Sequence, residues 1–216
     1  MAELTAIKRA KKGGTAAGVP RVVLELDGET WSTCSETLVS EFRLFQGKQV
    51  DDGLLNDLRE RIGATEAMAL CNVAVSHRAL TERELTDKLA AAGYAGDLVA
   101  ETIDRCMHLG LVDDARYART FVESRLRRGM GAHRIQSDLA KRGIDRALIR
   151  DLLAEVTDDG QVEDACLESL RRKFGRADLA DPKQLGKAQR FLLGRGYSYE
   201  QLNAALRTLR DEQAQG

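Results

Sequence analysis

The chain has 216 residues, and its two prolines and 5% aromatic content favour helices in one or two domains of ordinary size. Its 33 Lys and Arg residues nearly balance 34 Asp and Glu residues, which excludes a protein that coats DNA along its whole length. Four cysteines without paired spacing exclude a disulfide or zinc framework, and no apolar run approaches the roughly 18 residues of a membrane span. We therefore expect a cytoplasmic protein with no membrane association.

The N-terminal part predicts two segments that precede the helical part of the chain. Residues 1–20 combine a cluster of Lys and Arg with a glycine-rich run, which is typical of a flexible basic tail. Residues 21–62 predict a small β-hairpin followed by a helix, because Asp27-Gly28 lies between two runs of β-favouring residues. Leu38, Phe42 and Phe45 would form an apolar face that packs this helix against the hairpin, and Gly47 would cap the helix.

A six-residue turn motif occurs three times along the rest of the chain. Its copies are residues 89–94, 139–144 and 192–197, each with leucine first and glycine fifth, and apolar residues recur six and ten positions after each glycine. A leucine just before a glycine that ends a helix faces the core, and the later apolar residues face it from the next helix. Self-similarity at this spacing predicts a repeat architecture.

The spacing predicts three tandem three-helix modules over residues 63–112, 113–157 and 158–216, each similar to a helix-turn-helix. Modules of this size bury little apolar surface alone, so we expect them to stack into a curved rod. The predicted fold class is therefore all-α, with the three repeats preceded by the small hairpin and its helix. Capping boxes at residues 81–84 and 198–201 predict two of the helix starts.

Charge is distributed unevenly between these regions. Residues 21–104 carry 8 Lys and Arg against 16 Asp and Glu, whereas residues 113–150 carry 10 against 5. The basic face of the middle module is the candidate contact surface, because arginine favours bidentate contacts with phosphate or carboxylate. A solvated helical surface without a partner is the ordinary alternative. The candidate residues are Arg116, Arg119, Arg125, Arg127, Arg128, Arg134, Lys141 and Arg142.

The sequence offers no constellation that would support catalysis or hold a cofactor. Cys106 and His108 lie close together but have no companion pair at metal-ligand spacing. The glycine-rich run at residues 13–18 lacks the Lys and the Ser or Thr that end a phosphate loop. Asp113-Asp114 is better explained as a helix cap than as an acid–base pair. We therefore predict a protein that is not an enzyme and has no cofactor or metal.

Three segments of the central stretch are especially specific. They are residues 110–119, 125–131 and 134–144, which read GLVDDARYAR, RLRRGMG and RIQSDLAKRGI. These segments resemble the RecX family of RecA regulators, and the resemblance extends from residue 21 to the C-terminus. It implies a noncatalytic monomer that binds the RecA filament on single-stranded DNA, restrains filament growth and dampens the ATPase, strand-exchange and coprotease activities of RecA. Whether the basic face meets RecA or makes a weak direct contact with DNA stays open.

A helix-turn-helix transcription regulator is the main alternative, because each module contains a tight helix–turn–helix. The helices after the glycines argue against it, since they carry Asp97, Glu101 and Glu200. A protein that reads the DNA major groove would carry Arg, Asn or Gln at such positions. A generic helical scaffold is the remaining alternative.

Overall fold

The computed structural model of the protein describes residues 1–10, 21–158 and 160–215. The strands are β1 (Ala2–Arg9), β2 (Arg21–Leu26), β3 (Glu29–Ser35) and β4 (Gln49–Val50). The helices are α1 (Glu36–Glu41), α2 (Asp52–His77), α3 (Glu82–Ala91), α4 (Gly96–His108), α5 (Asp114–Arg127), α6 (Ala132–Lys141), α7 (Arg146–Asp158), α8 (Gln161–Phe174), α9 (Pro182–Gly194) and α10 (Tyr199–Gln215). None of these described helices is long and apolar enough to cross a membrane.

The chain divides into two compact units. The first unit contains residues 1–80 and 85–112, and the second contains residues 81–84 and 113–216. Three successive groups of three helices, α2–α4, α5–α7 and α8–α10, form the repeats. The predicted helical fold of three three-helix repeats behind a small β element is confirmed, although the β element is larger than a hairpin.

The β element is a four-stranded sheet at the N-terminus. Its strands run in the order β3-β2-β1-β4, and each neighbouring pair is antiparallel. The predicted hairpin is present, because Leu26 pairs with Glu29 across the two-residue turn at Asp27-Gly28. One face of the sheet packs on α1 and the start of α2, where Leu38 is buried as predicted and Phe42 packs against the same core. The prediction is wrong for Phe45 and Gly47, because α1 already ends at Glu41 and Phe45 is 61% exposed.

The prediction of a flexible tail over residues 1–20 is wrong for β1. Leu4 of this strand is 1% exposed and belongs to the core beneath the sheet. Lys8 forms an ion pair with Glu25 on β2, with Nζ and Oε1 2.6 Å apart. The basic composition of the segment hid a strand whose buried side chains make it part of the sheet. Residues 11–20 lie outside the described residues.

A single long helix crosses the boundary that we predict between residues 62 and 63. The first half of α2 buries Leu58 and Ile62 in the core of the sheet. Its second half buries Ala67 and Cys71 in the core of the first repeat. Because α2 supplies side chains to both cores, the sheet and the first repeat share one continuous helix instead of a linker.

The start of the third repeat also differs from the prediction. We predict a start at residue 158, but α7 continues through Asp158 and α8 begins at Gln161. Gly160 is the N-cap residue of α8 and has φ of 71°. Helix α8 therefore begins after Gly160, and the third repeat does not start at residue 158.

The three turn motifs adopt the same geometry. Their leucines, Leu89, Leu139 and Leu192, are fully buried. Their glycines have φ of 88°, 85° and 89°, and in each copy the N–H of the next residue donates to the leucine carbonyl at 3.3 Å. Glycine adopts this left-handed conformation at little cost, and the closing hydrogen bond satisfies a carbonyl at the end of the helix. The predicted scaffold role of the motif is confirmed.

Both predicted capping boxes are present. The Thr81 hydroxyl accepts a hydrogen bond from the Glu84 N–H at 3.2 Å, and the Glu84 carboxylate accepts one from the Thr81 N–H at 3.4 Å. Ser198 and Gln201 repeat this reciprocal arrangement at 3.2 and 3.0 Å. Each box satisfies two backbone donors that a helix start would otherwise leave without partners.

Within the second unit, the residue before the second helix of one repeat contacts the turn motif of the next repeat. The Gly131 N–H, just before α6, donates to the Arg195 carbonyl at 2.8 Å. The Thr81 hydroxyl, just before α3, donates to the Arg142 carbonyl at 2.8 Å. Arg195 and Arg142 both directly precede a motif glycine, so the two contacts are equivalent. A Cβ atom on Gly196 would lie 2.5 Å from the Arg134 backbone nitrogen, which makes this joint too close for any other residue.

Candidate partner-binding surface

Helix α5 presents most of the candidate arginines. The Asp113 carboxylate caps its start and accepts a hydrogen bond from the Arg116 N–H at 2.8 Å. Ala118, Val122 and Leu126 form the buried face of the helix. Charged residues occupy the opposite face because burial of unpaired arginines would be costly. The exposed candidates on α5 and at its C-terminal cap are Arg116, Arg119, Arg127 and Arg128.

Phe121 lies at the centre of a cluster of aromatic and cationic side chains. The Cζ atoms of Arg125 and Arg142 lie 4.6 and 4.9 Å from the centroid of its ring. The Tyr117 ring stacks on Phe121, with 6.1 Å between centroids and an interplanar angle of 17°. Both aromatic side chains are half-buried against the core. Their contacts hold two guanidinium groups in place at the surface through cation–π attraction.

Arg142 links this cluster to α6. Its Nη1 donates to the Asp138 carbonyl at 2.9 Å, and its buried Nε has no hydrogen-bond partner among the described residues. The Asp138 carboxylate in turn lies 3.4 Å from Nε of Arg134. The structure therefore brings Arg125 and Arg142 together at Phe121, and Arg134 contacts Asp138 next to them.

Arg119 is engaged within the repeat. Its Nη1 donates to Oε1 of Glu155 on α7 at 2.9 Å. This hydrogen bond, together with the charge of Glu155, raises the pKa of the Arg119 guanidinium. Both side chains are more than half exposed, so a strong anionic partner would compete with Glu155 in solvent.

Arg127, Arg128 and Lys141 are the most available of the predicted cations. All three are exposed, and none of their side chains makes an ion pair or hydrogen bond with a described residue. Arg128 lies seven residues after Phe121 and therefore on the same side of α5. Among the described residues, these cations therefore have no acid to displace before they bind an external anion.

The basic surface continues into the third repeat, which the sequence analysis missed. Arg195 donates from Nη1 to the carbonyls of Arg128 and Gly129 at 2.7 and 2.9 Å. Its Cζ lies 4.5 Å from the centroid of Phe191, and Nζ of Lys173 lies 4.1 Å from the same centroid. The shared position of Arg142 and Arg195, directly before a motif glycine, was the available sequence signal.

These residues form one surface of the second unit, which we call the basic strip. It has the same construction in both repeats, a phenylalanine with two cations within 5 Å of its ring centroid. Arginine forks held in this way suit carboxylate or phosphate groups, because little rotamer entropy remains to be lost on binding. The basic strip consists of Phe121, Arg125, Arg128, Arg142, Lys173, Phe191 and Arg195.

The cysteines do not provide a reactive group. Cys34, Cys71, Cys106 and Cys166 are all buried and free. Burial raises the pKa of Cys71 and of Cys166 to about 12, so both remain protonated thiols at neutral pH. Within the described residues, no group of three or more His, Cys, Asp and Glu side chains could hold a metal ion.

Family models match each of the three repeats. The model described as RecX, first three-helix domain, matches residues 74–106. The second and third three-helix domains of RecX match residues 113–153 and 161–206. All members of the basic strip lie inside the second and third matched domains.

Known proteins agree with these matches. "Regulatory protein RecX" of Chromohalobacter salexigens is 37% identical over 61% of this chain and 85% of its own length. "Regulatory protein RecX" of Levilactobacillus brevis is 30% identical over 97% of this chain and 77% of its own length. The chain belongs to the RecX family. A crystal structure of regulatory protein RecX, 21% identical, shares the RecX fold with a TM-score of 0.68 over 98% of this chain and all of that one.

Proposed function

We propose that this protein regulates the RecA recombinase, mainly negatively, by binding the groove of the RecA filament on single-stranded DNA. It would thereby modulate filament growth, ATPase, strand exchange and coprotease activity. Membership of the RecX family supports the choice of RecA, and the basic strip is the observation that carries the mode of action. The basic strip serves as a binding surface and not as a reaction centre, so the protein acts as a ligand of the filament. It does so as a monomer in the cytoplasm.

A ligand changes a polymer through its differential affinity for the polymer's states. If the basic strip binds the filament in a conformation unfavourable for adding protomers or hydrolysing ATP, that conformation becomes more populated. A coupling of 1–3 kcal/mol is typical of such regulation and corresponds to a change in affinity of about 5- to 150-fold. The acceptor groups are RecA carboxylates or DNA phosphates, since both fit arginine forks.

RecA activity gives the first test of this proposal. Addition of the protein to preformed RecA filaments on single-stranded DNA should lower the ATPase rate and shorten the filaments. The rate can be followed by coupled ATP hydrolysis and the length by electron microscopy. If neither quantity changes at a stoichiometric amount of protein, the proposed function is wrong.

Charge reversal tests the basic strip and its exposed neighbour. The double variant Arg127→Glu/Arg128→Glu should bind the filament about 10-fold more weakly, because it places two carboxylates against an anionic partner. A matched control is Arg146→Glu/Arg150→Glu, which makes the same change of charge on exposed residues of α7 outside the strip. Fluorescence anisotropy measures the affinity and circular dichroism checks the helical content. Equal filament affinity of the two variants would show that the basic strip does not bind the filament.

Duplex binding separates this function from the helix-turn-helix alternative. A transcription regulator should bind one duplex sequence at least about 10³-fold more tightly than random duplex at physiological salt. We expect no such preference, because the helices after the motif glycines carry Asp97, Glu101 and Glu200, where a major-groove reader would carry Arg, Asn or Gln.

A further inference from the structure

Two cavities border α2 in the first unit. One has a volume of about 520 Å³ and is lined by apolar side chains that include Leu38, Ile62 and Leu70. The other has a volume of about 570 Å³ and lies between α2 and the start of α4. Arg61 lines both cavities, and we call the two together the α2 groove.

The second cavity of the α2 groove has an apolar floor and an acidic rim. Phe42, Ala64 and Leu98 are half-buried and form the floor. Arg61 is the one basic side chain among its lining residues, and its Nε lies 3.2 Å from Oε1 of Glu41. Four carboxylates without an ion pair or hydrogen bond to a described residue form the rim, namely Asp57, Glu60, Asp97 and Glu101.

The lining residues of the first cavity carry no net charge. Arg21 and Glu66 form an ion pair at one end, and Arg21 also donates to the Thr33 carbonyl at 3.1 Å. Tyr94, from the turn motif of the first repeat, lines the same end. This cavity can therefore receive an uncharged side chain, while the charges of the rim lie in the neighbouring cavity.

We propose that the α2 groove docks a basic amphipathic segment of the partner protein, with an apolar side chain in the groove and Lys or Arg residues against the rim. The proposal rests on the proposed function, since it gives the RecA filament a second contact of opposite charge. DNA does not fit this groove, because four unpaired carboxylates would repel its phosphates.

The dimensions of the groove agree with a peptide segment. The α2 residues that line it extend from Asp57 to Leu70, which corresponds to about 20 Å of helix. An extended segment of about six residues covers that length. Apolar anchors in a pocket supply most of the affinity of such contacts, and the charged rim supplies selectivity and a fast association rate.

Two groove variants and one control variant test the docking. Asp57→Lys/Glu101→Lys reverses two rim charges outside the first helical turns, and Ala64→Met fills the floor without a change of charge. The control Glu29→Lys/Asp104→Lys makes the same change of charge on exposed residues of the first unit that do not line the groove. Affinity is measured by anisotropy for the RecA filament on single-stranded DNA and for the bare single strand.

The groove charge variant should bind the filament about 10-fold more weakly than the control variant, because it repels the basic segment. Ala64→Met should bind about 10-fold more weakly than the wild-type protein, because it blocks the segment. On bare single-stranded DNA, the groove and control charge variants should bind equally. The inference is overturned if the groove charge variant binds the filament as the control does and Ala64→Met binds it as the wild-type protein does, while wild-type binding remains intact. Failure of the wild-type protein to bind the filament would instead overturn the proposed function.

Discussion

The first and the middle repeat share one backbone and differ in the charge of their surfaces. Leu89 and Leu139 are equally buried, and the glycines that follow have φ of 88° and 85°. The residue before the glycine is Ala92 in the first repeat and the cluster-forming Arg142 in the middle repeat. The first repeat carries four unpaired carboxylates along the α2 groove, whereas the middle repeat carries the basic strip.

This difference shows that the turn motif and the surface are independent parts of a repeat. The motif depends on a buried leucine and a left-handed glycine, which leave the exposed positions free to vary. A family can therefore retain one helical scaffold and place opposite charges on successive repeats. Perturbation of the shared residues should affect all repeats in similar ways, except where a repeat makes an additional contact.

The largest exception is expected at the joint between the middle and third repeats. Gly196→Ala should lower the free energy of unfolding by about 4 kcal/mol, because its Cβ would lie 2.5 Å from the Arg134 nitrogen. Gly93→Ala is the matched control, with a φ of 88° and no described atom within 4 Å of the added Cβ. It should cost only about 1 kcal/mol, which reflects the left-handed backbone. Urea denaturation measures both values.

Equal losses in these two glycine variants would mean that the close approach at the joint does not constrain the protein. Gly143→Ala should give an intermediate loss, because its Cβ would lie 2.5 and 2.6 Å from Cδ and Cβ of Arg83, of which only Cδ can rotate away, whereas Gly196 meets a backbone nitrogen. The expected order is therefore Gly93, Gly143 and Gly196, from the smallest loss to the largest.

The motif leucines should behave alike in the two repeats. Leu89→Ala and Leu139→Ala should each lower the free energy of unfolding by about 3 kcal/mol, because each leaves a cavity in a fully packed core. Hydrogen exchange of α3 and α6 reports the loss in each repeat separately. A loss more than about twofold larger in one repeat would show that the shared geometry does not imply shared energetics.

Much of this scaffold could be predicted from the sequence, because its signals are local. The leucine, the glycine and the capping boxes act within a few residues of chain, and Thr81 and Ser198 cap helices as predicted. β1 was missed because its basic residues resemble a tail, while the burial of Leu4 depends on the rest of the sheet.

The site was only partly predictable because its geometry is tertiary. Exposed cations on α5 follow from helical periodicity, but Arg142 reaches Phe121 from the end of another helix. Arg195 lies in a different repeat and contacts the carbonyls of Arg128 and Gly129 across the joint. Sequence spacing carries no information on such distances.

A smaller difference is expected between the two arginines that precede motif glycines. Arg195→Ala removes two hydrogen bonds to carbonyls and a contact with Phe191, and should cost about 2 kcal/mol. Arg142→Ala removes one such bond and a contact with Phe121, and should cost about 1 kcal/mol. Thermal unfolding monitored by circular dichroism ranks the two. The reverse order would contradict the larger contribution that we expect from Arg195 to the stability of the protein.

The smallest expected effect is a difference in the pH dependence of two helix caps. One cap is on α7 of the middle repeat and the other is on α10 of the third repeat. The Asp145 carboxylate caps α7, and its hydrogen bonds from the N–H groups of Leu148 and Ala147 lower its pKa below the ordinary value of 3.8. A lowered pKa in the folded state means that this cap stabilises the protein above the ordinary value and is lost as the pH falls through the folded value. Asp145→Ala should therefore destabilise the protein at pH 7 and lose this effect in acid.

Ser198→Ala, which removes the neutral hydroxyl cap of α10, should destabilise it equally at both pH values, because serine does not titrate. Urea denaturation of both variants and the wild type at pH 7 and at pH values below the ordinary 3.8 measures the difference, and a pH-independent loss in Asp145→Ala would show that its charge does not contribute.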